Sequence, residues 1–153
     1  MKRHARFRFR RRGDADFEIS GEEVEVLRDV ELLRSVFVNL SSNASQAMHG
    51  KGKISVAIRT ERSSCTIAFA DSGPGVPEAL AHKIFEPFFT TRSRGIGLGL
   101  ALAKRIVEAH GGEIALLPSV DRGAKMVLTL PRASASLSSE EGSVPQIRPS
   151  RPN

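Results

Sequence analysis

Two pairs of period-two apolar runs, separated by stretches of helical period, constrain this chain more than any other feature of its sequence. The first pair is Lys53–Thr60 and Cys65–Ala70, in which Ile54, Val56, Ile58 and Ile67, Phe69 alternate with their neighbours across a polar turn. The second is Glu113–Leu117 and Lys125–Leu130, joined around Asp121-Arg122-Gly123. Such alternation is the pattern of a strand with one buried face. Between the pairs the period changes. Asp29 is a candidate N-cap, followed by an apolar stripe at Leu33, Val36, Phe37, Leu40, Ala44 and Ala47. That helix ends at His49-Gly50, where Gly50 suits a left-handed cap. Pro77 is placed to open a short helix to about Ile84. Leu98 to His110 is amphipathic and stops at Gly111-Gly112. No regular βαβ alternation is present. The pattern predicts an α+β fold, a two-layer sandwich whose mixed, mostly antiparallel sheet is covered on one face by about three helices.

A chain of 153 residues suffices for one domain with a buried core. No stretch approaches the ~18 apolar residues of a membrane helix. Met1 to Arg12 is basic, but no apolar run follows it as in a secretory signal. Cys65 is the single cysteine, which excludes a disulfide framework and suits a small buried thiol. Together these features predict a cytoplasmic domain with no membrane contact of its own. The net charge of +6 invites a nucleic-acid reading, yet seven of the 23 basic residues lie between Lys2 and Arg12, leaving 16 against 17 acidic residues. No nucleic-acid face is expected from that distribution. Within the arm, Ala5, Phe7 and Phe9 alternate with Arg6, Arg8 and Arg10. Residues 5–12 therefore read as an edge strand protected by charge, with an acidic partner as the other reading. Phe17 to Leu27 has loose extended character. From Arg132 the chain turns to Ser, Pro, Glu and Arg, so residues 132–153 are expected as a disordered tail or linker behind a domain of residues 1–131.

Three constellations carry chemistry. Asn39, Asn43 and Gln46 fall at i, i+4 and i+7, a polar stripe beside the apolar one. Asn is a poor residue for a helix interior, so tertiary contacts must compensate. A carboxamide oxygen is a hard neutral ligand suited to Mg2+, and its NH2 can donate to phosphate. The same stripe could be a solvated face. Asp71-Ser72-Gly73-Pro74-Gly75 directly follows an apolar strand. A carboxylate there, beside glycines that admit a flat ring, can accept from the exocyclic amine of adenine, where guanine has a carbonyl. An ordinary strand-exit turn has the same composition. Finally, Thr90-Thr91-Arg92-Ser93-Arg94 runs into Gly95-Ile96-Gly97-Leu98-Gly99-Leu100 and a helix. Glycine amides and a helix N-terminus favour anionic oxygens, with Arg92 and Arg94 adding charge and Thr91 a hydroxyl. Neither the Walker pattern nor the dinucleotide fingerprint is met, and a flexible hinge is the alternative.

Order and spacing unite the three. Leu33-x-x-Val36-x-x-Asn39-Leu40-x-x-Asn43-Ala44-x-x-Ala47 resembles the N box of sensor histidine kinases. Asp71 to Gly75 is similar to their first glycine box, and Ile84-Phe-Glu-Pro-Phe-Phe-Thr-Thr91 to their phenylalanine segment. Gly95 to Leu100 resembles the second glycine box, and Ile106-Val-Glu-Ala-His-Gly-Gly112 the helix end after it. The motifs stand in family order over about residues 30–131. The resemblance implies the fold shared by histidine kinases, Hsp90, DNA gyrase and MutL (the GHKL superfamily), with ATP held between helices and a mobile lid. It implies that Asn43 binds Mg2+, that Asn39 lies near the phosphates, and that Asp71 meets the adenine amine. Gly73, Gly75 and Val76 would shape the adenine pocket. Gly97, Leu98, Gly99 and Leu100 would carry the phosphates under a lid spanning roughly 88–96. Gln46, Ala47, Thr91 and Gly95 complete the implied ATP site, and Asn39, Asn43, Arg92 and Arg94 its catalytic group. Phe85, Phe88 and Phe89 fit core packing slightly better than a lid gate.

The sequence departs from the family pattern in four places. Gln46 stands where Lys is frequent, which fits the nitrogen-regulation and oxygen-sensing branches. Ala124 replaces a frequent threonine. The lid is short. No phosphoacceptor histidine box is present, since His4, His49, His82 and His110 lack its surroundings. The expectation is therefore the catalytic domain of a protein-histidine kinase, donating the γ-phosphate of Mg-ATP to a histidine on a dimerisation domain of the same kinase or of a partner chain. A response regulator would follow downstream. The alternatives are an anti-sigma-type protein-serine kinase and a nucleotide-binding pseudokinase acting as an interaction module.

Overall fold

Alternating side chains of the central strands build one continuous apolar face, and the helices lie on it. The structure, a computed structural model, describes residues 4–9, 15–22, 24, 29–93, 95–118 and 122–132. Its elements are β1 (His4–Phe9), β2 (Asp16–Glu22), α1 (Val30–Ala47), β3 (Lys53–Thr60), β4 (Ser64–Asp71), a 3₁₀ turn (Glu78–Leu80), α2 (Gly99–Ala109), β5 (Glu113–Leu117) and β6 (Lys125–Pro131). The strands form a six-stranded sheet in the order β1-β2-β3-β4-β6-β5. β2 and β3 are parallel and every other neighbouring pair is antiparallel, the mixed sheet expected.

Register explains the common face. Ile58 pairs with Ile67, Val56 with Phe69, and Ile67 and Phe69 in turn with Leu128 and Met126. All lie at one parity of the pleat, facing the helices. Against them α1 buries Leu33, Val36, Leu40 and Ala44, and α2 buries Ala103, Ile106 and Val107, in a single core. Cys65 is fully buried in this face, as expected of a small thiol. Its burial pushes the thiol pKa up, against a smaller lowering by the Leu130 backbone and Arg132.

The helix ends follow from local chemistry. Asp29 accepts from the amides of Glu31 and Leu32 at 3.0 and 3.2 Å, a side-chain N-cap. At the C-terminus Gly50 N–H donates to Ser45 O and His49 N–H to Gln46 O, a Schellman turn. His49, with φ of 54°, takes the left-handed position expected at Gly50, which follows it with φ of 73°. α2 closes in the same way, with Gly111 at φ 72°.

Two expectations change. The helix anticipated from Pro77 to Ile84 is only the 3₁₀ turn, so two α-helices rather than about three cover the sheet among the described residues. From Ala81 to Phe89 the chain continues through i to i+3 bonds, and Ile84 is the one buried residue between Pro77 and Thr90. Without an apolar stripe nothing fixes an α-helix there. The extended run from Phe17 ends at Glu22, and residues 25–28 lie outside those described. β1 is the outer strand, as the basic arm suggested; its side chains and residues 10–12 lie outside the described set. So does Asp121, and so do residues 133–153 of the expected tail. Arg132 is tied to the β3–β4 turn, through its amide to Ser63 O and its guanidinium to Glu61 O.

Candidate functional site

Three segments far apart in the sequence meet beside α1. Asp71 closes β4 at the parity of Cys65, Ile67 and Phe69, so it continues the helix-facing side of the strand. Its Oδ1 accepts from Gly73 N–H at 2.8 Å and from Ala124 N–H at 3.3 Å. These bonds fix the carboxylate where the chain leaves the sheet. Glycine is required around it. A Cβ on Gly123, whose φ is 108°, would lie 1.9 Å from Asp71 O.

Asn43 projects from the C-terminal part of α1 and is half-buried. Arg92 reaches it from the loop before α2: Nη1 donates to Asn43 Oδ1 at 3.1 Å and Nη2 to Asn43 O at 2.9 Å. Nη1 also donates to Gln46 Oε1. The oxygens of this helix face thus already accept a cation. Among the described residues no group of three His, Cys, Asp or Glu side chains is placed to hold a metal. A metal here would rely on the carboxamide oxygens, which suit a hard cation that keeps part of its water shell.

The loop of residues 88–97 is closed at its base by Phe88 N–H donating to Gly97 O at 2.9 Å. Gly97 has φ of 74°, and a Cβ there would stand 2.5 Å from the Phe88 carbonyl carbon. α2 then begins at Gly99 with no side-chain cap from Leu98. Helix first-turn amides and dipole of this kind favour an anion. Gly99 abuts the Asn stripe, since a Cβ on it would lie 3.2 Å from Asn39 Oδ1 and 3.8 Å from Asn43 Nδ2.

These parts surround a cavity of about 990 Å³, a size suited to a nucleotide. Asn43, Gln46, Ala47, Asp71, Gly75, Val76, Thr91, Arg92, Gly95, Gly97, Leu98, Gly99 and Leu100 line it. Asn39 and Gly73 do not line it; they stand behind Gly99 and Asp71 respectively. Arg94 lies outside the described residues. Leu40, Ile84, Phe89 and Met126 form an apolar wall that the sequence did not name among the ATP-site residues, nor did it name His49 there. The three phenylalanines separate. Phe85 packs on the core under Lys104, whose Nζ is 5.7 Å from the ring centroid. Phe89 is both core neighbour and cavity wall. Phe88 is 73% exposed with φ of 67°, which corrects its assignment to the core. A second cavity, of about 1100 Å³, lies along the other side of α1 between Val24 and Val38 and is largely apolar.

Fold and site together define a class. The family model of histidine kinase-, DNA gyrase B- and HSP90-like ATPases matches residues 28–134, and the chain belongs to that family. Within it, the similarity is to the catalytic ATPase domains of sensor histidine kinases. The chain is 41% identical over 115 residues to signal transduction histidine-protein kinase AtoS of Escherichia coli (strain K12), a match covering 74% of this chain and 19% of that protein. It superposes on the mycobacterial sensor histidine kinase MprB with a TM-score of 0.69 and 27% identity, covering 76% of this chain and 82% of that one. Full-length ShkA in complex with AMPPNP gives a TM-score of 0.66 at 27% identity, covering 78% of this chain and 26% of that one. The chain spans about a fifth of the length of the curated relatives it matches.

Proposed function

We propose that this domain binds Mg-ATP in the cavity between α1 and α2 and donates the γ-phosphate to a histidine on a separate dimerisation domain. That domain belongs to the same kinase or to a partner chain, with a response regulator downstream. The observation that carries the reading is the convergence of Asp71, Asn43, Arg92 and the α2 N-terminus on one cavity. The presence of AMPPNP in the ShkA structure supports ATP as the ligand. In this reading Asp71, held by two backbone amides, accepts from the adenine amine, with Gly73 and Gly75 leaving room for the ring. The amides of Gly97 to Leu100 and the α2 dipole receive the phosphates. Asn43 faces the divalent cation, and Asn39, beside Gly99, lies near the phosphates. Mg2+, when bound, supplies charge neutralisation at the phosphates. Arg92, with Arg94 two residues on, supplies further charge from the lid. Catalysis by such groups is mostly positioning, because phosphoryl transfer asks little covalent chemistry of the protein. The lone buried Cys65 fits a reducing, cytoplasmic setting.

Transfer is tested by incubating the domain with a cognate histidine-bearing helical domain and ATP labelled at the γ-phosphate. Acid-labile label on the partner is the expected result. Acid-stable phosphoserine, or ATP binding with no transfer, would overturn the reading.

A further inference from the structure

Gln46 is left without a role by the adenine and phosphate contacts. It is exposed on α1, three residues after Asn43, so the two carboxamides project from adjacent turns of one helix face. Its Nε2 donates to Ser42 Oγ at 3.0 Å. That bond orients the amide and turns Oε1 toward the loop before α2, where it accepts from Arg92 Nη1. Asn43 supplies the remaining acceptors, Oδ1 at 3.1 Å and its backbone carbonyl at 2.9 Å. Three oxygens of one helix face therefore grip one guanidinium, and among the described residues no carboxylate takes part. A carboxylate would add the attraction of opposite charges to these hydrogen bonds. Neutral oxygens make a grip that a competing cation can break. A guanidinium donating to Asn43 Oδ1 disfavours a divalent cation on the same oxygen, because two positive charges at one acceptor repel at close range.

The geometry points to Gln46 as a positioning residue: with Asn43 it seats Arg92 in a latch that holds the lid to α1, and Arg92 leaves Asn43 Oδ1 when the magnesium nucleotide takes that oxygen. The inference rests on the reading that Asn43 faces the cation. It has a quantitative consequence. The latch stabilises only the nucleotide-free lid, so weakening it at Gln46 raises nucleotide affinity by the factor by which it loosens the lid.

The test uses hydrogen exchange and calorimetry on the intact chain. In nucleotide-free protein the reporting amides are Phe88, Arg92 and Gly95, bonded to Gly97 O, Thr90 Oγ1 and Arg92 O. In Gln46→Ala these exchange roughly threefold to tenfold faster, the range for one lost hydrogen bond, while the amides of Leu40 to Ala44 exchange as in wild type. In Gln46→Glu they exchange no faster than in wild type, a rescue that a merely structural role would not produce. Gln46→Ala then binds Mg-ATP more tightly by the same factor. Lid exchange within twofold of wild type in Gln46→Ala overturns the latch. So does weaker Mg-ATP binding, which makes Gln46 a phosphate contact instead. If Asn43→Ala and Asp71→Ala lose binding while Gln46→Ala matches wild type, the latch alone fails. If both retain full affinity, the site assignment fails and the latch with it.

Discussion

At Gly123 the backbone passes so close to Asp71 that a single methyl group would collide with its carbonyl oxygen, at 1.9 Å. The neighbouring Ala124 N–H and carbonyl bond to Asp71, so this turn sets where the carboxylate points. Gly123→Ala therefore combines a collision with a left-handed φ that favours glycine. It is expected to lower stability by about 1–3 kcal/mol and to weaken ATP binding as well, measured by thermal melting and calorimetry. Cys65 makes the opposite case, a reactive group silenced by its surroundings. Its raised pKa keeps the thiol protonated in the folded chain where the unfolded chain would ionise. The folded domain should resist alkylation at neutral pH and react fully only with denaturant. Because the unfolded state loses its proton first, this group's contribution to stability is intact at neutral pH and falls as pH rises past the ordinary thiol range. Rapid alkylation of the native protein would contradict this burial.

α1 joins fold and site in one element. Its apolar stripe packs on the sheet, its polar stripe lines the cavity, and its ends are fixed by Asp29 and by the turn at His49. Asp29→Ala removes the acceptor for two first-turn amides and should cost about 1 kcal/mol, read as a lower melting temperature with ATP affinity preserved. This helix was legible in the sequence because its cap, period and glycine all agree. The paired strands were legible for the same reason, each apolar position having a partner at the same parity. Other features were not. Leu40, Ile84 and Met126 carry the same apolar signal whether they fill a core or wall a pocket. The stretch after Pro77 has a good helix start but a single buried residue, so a propensity reading overestimates it. Phe88 looks like core by composition, yet its backbone bond to Gly97 turns the residue outward at the base of the lid. The contacts between Arg92 and α1 span 46 and 49 residues, a distance at which sequence spacing carries no contact information.

Across the whole molecule, the excess basic charge and the cavity occupy different parts of the sequence. The basic arm enters the outer strand β1, while the cavity draws on α1, β4 and the segment leading into α2. Among the described residues no helix is long and apolar enough to cross a membrane. The account's central claim is that three separate segments make one Mg-ATP site on this sheet. Calorimetric titration of ATP, with and without Mg2+, into wild type, Asn43→Ala and Asp71→Ala tests it most directly. Wild type should bind with a clear dependence on Mg2+. Asp71→Ala should lose roughly tenfold or more in affinity, the scale of a hydrogen bond to a charged group, and Asn43→Ala should lose the Mg2+ dependence. Wild-type affinity and wild-type Mg2+ dependence in both variants would contradict the account.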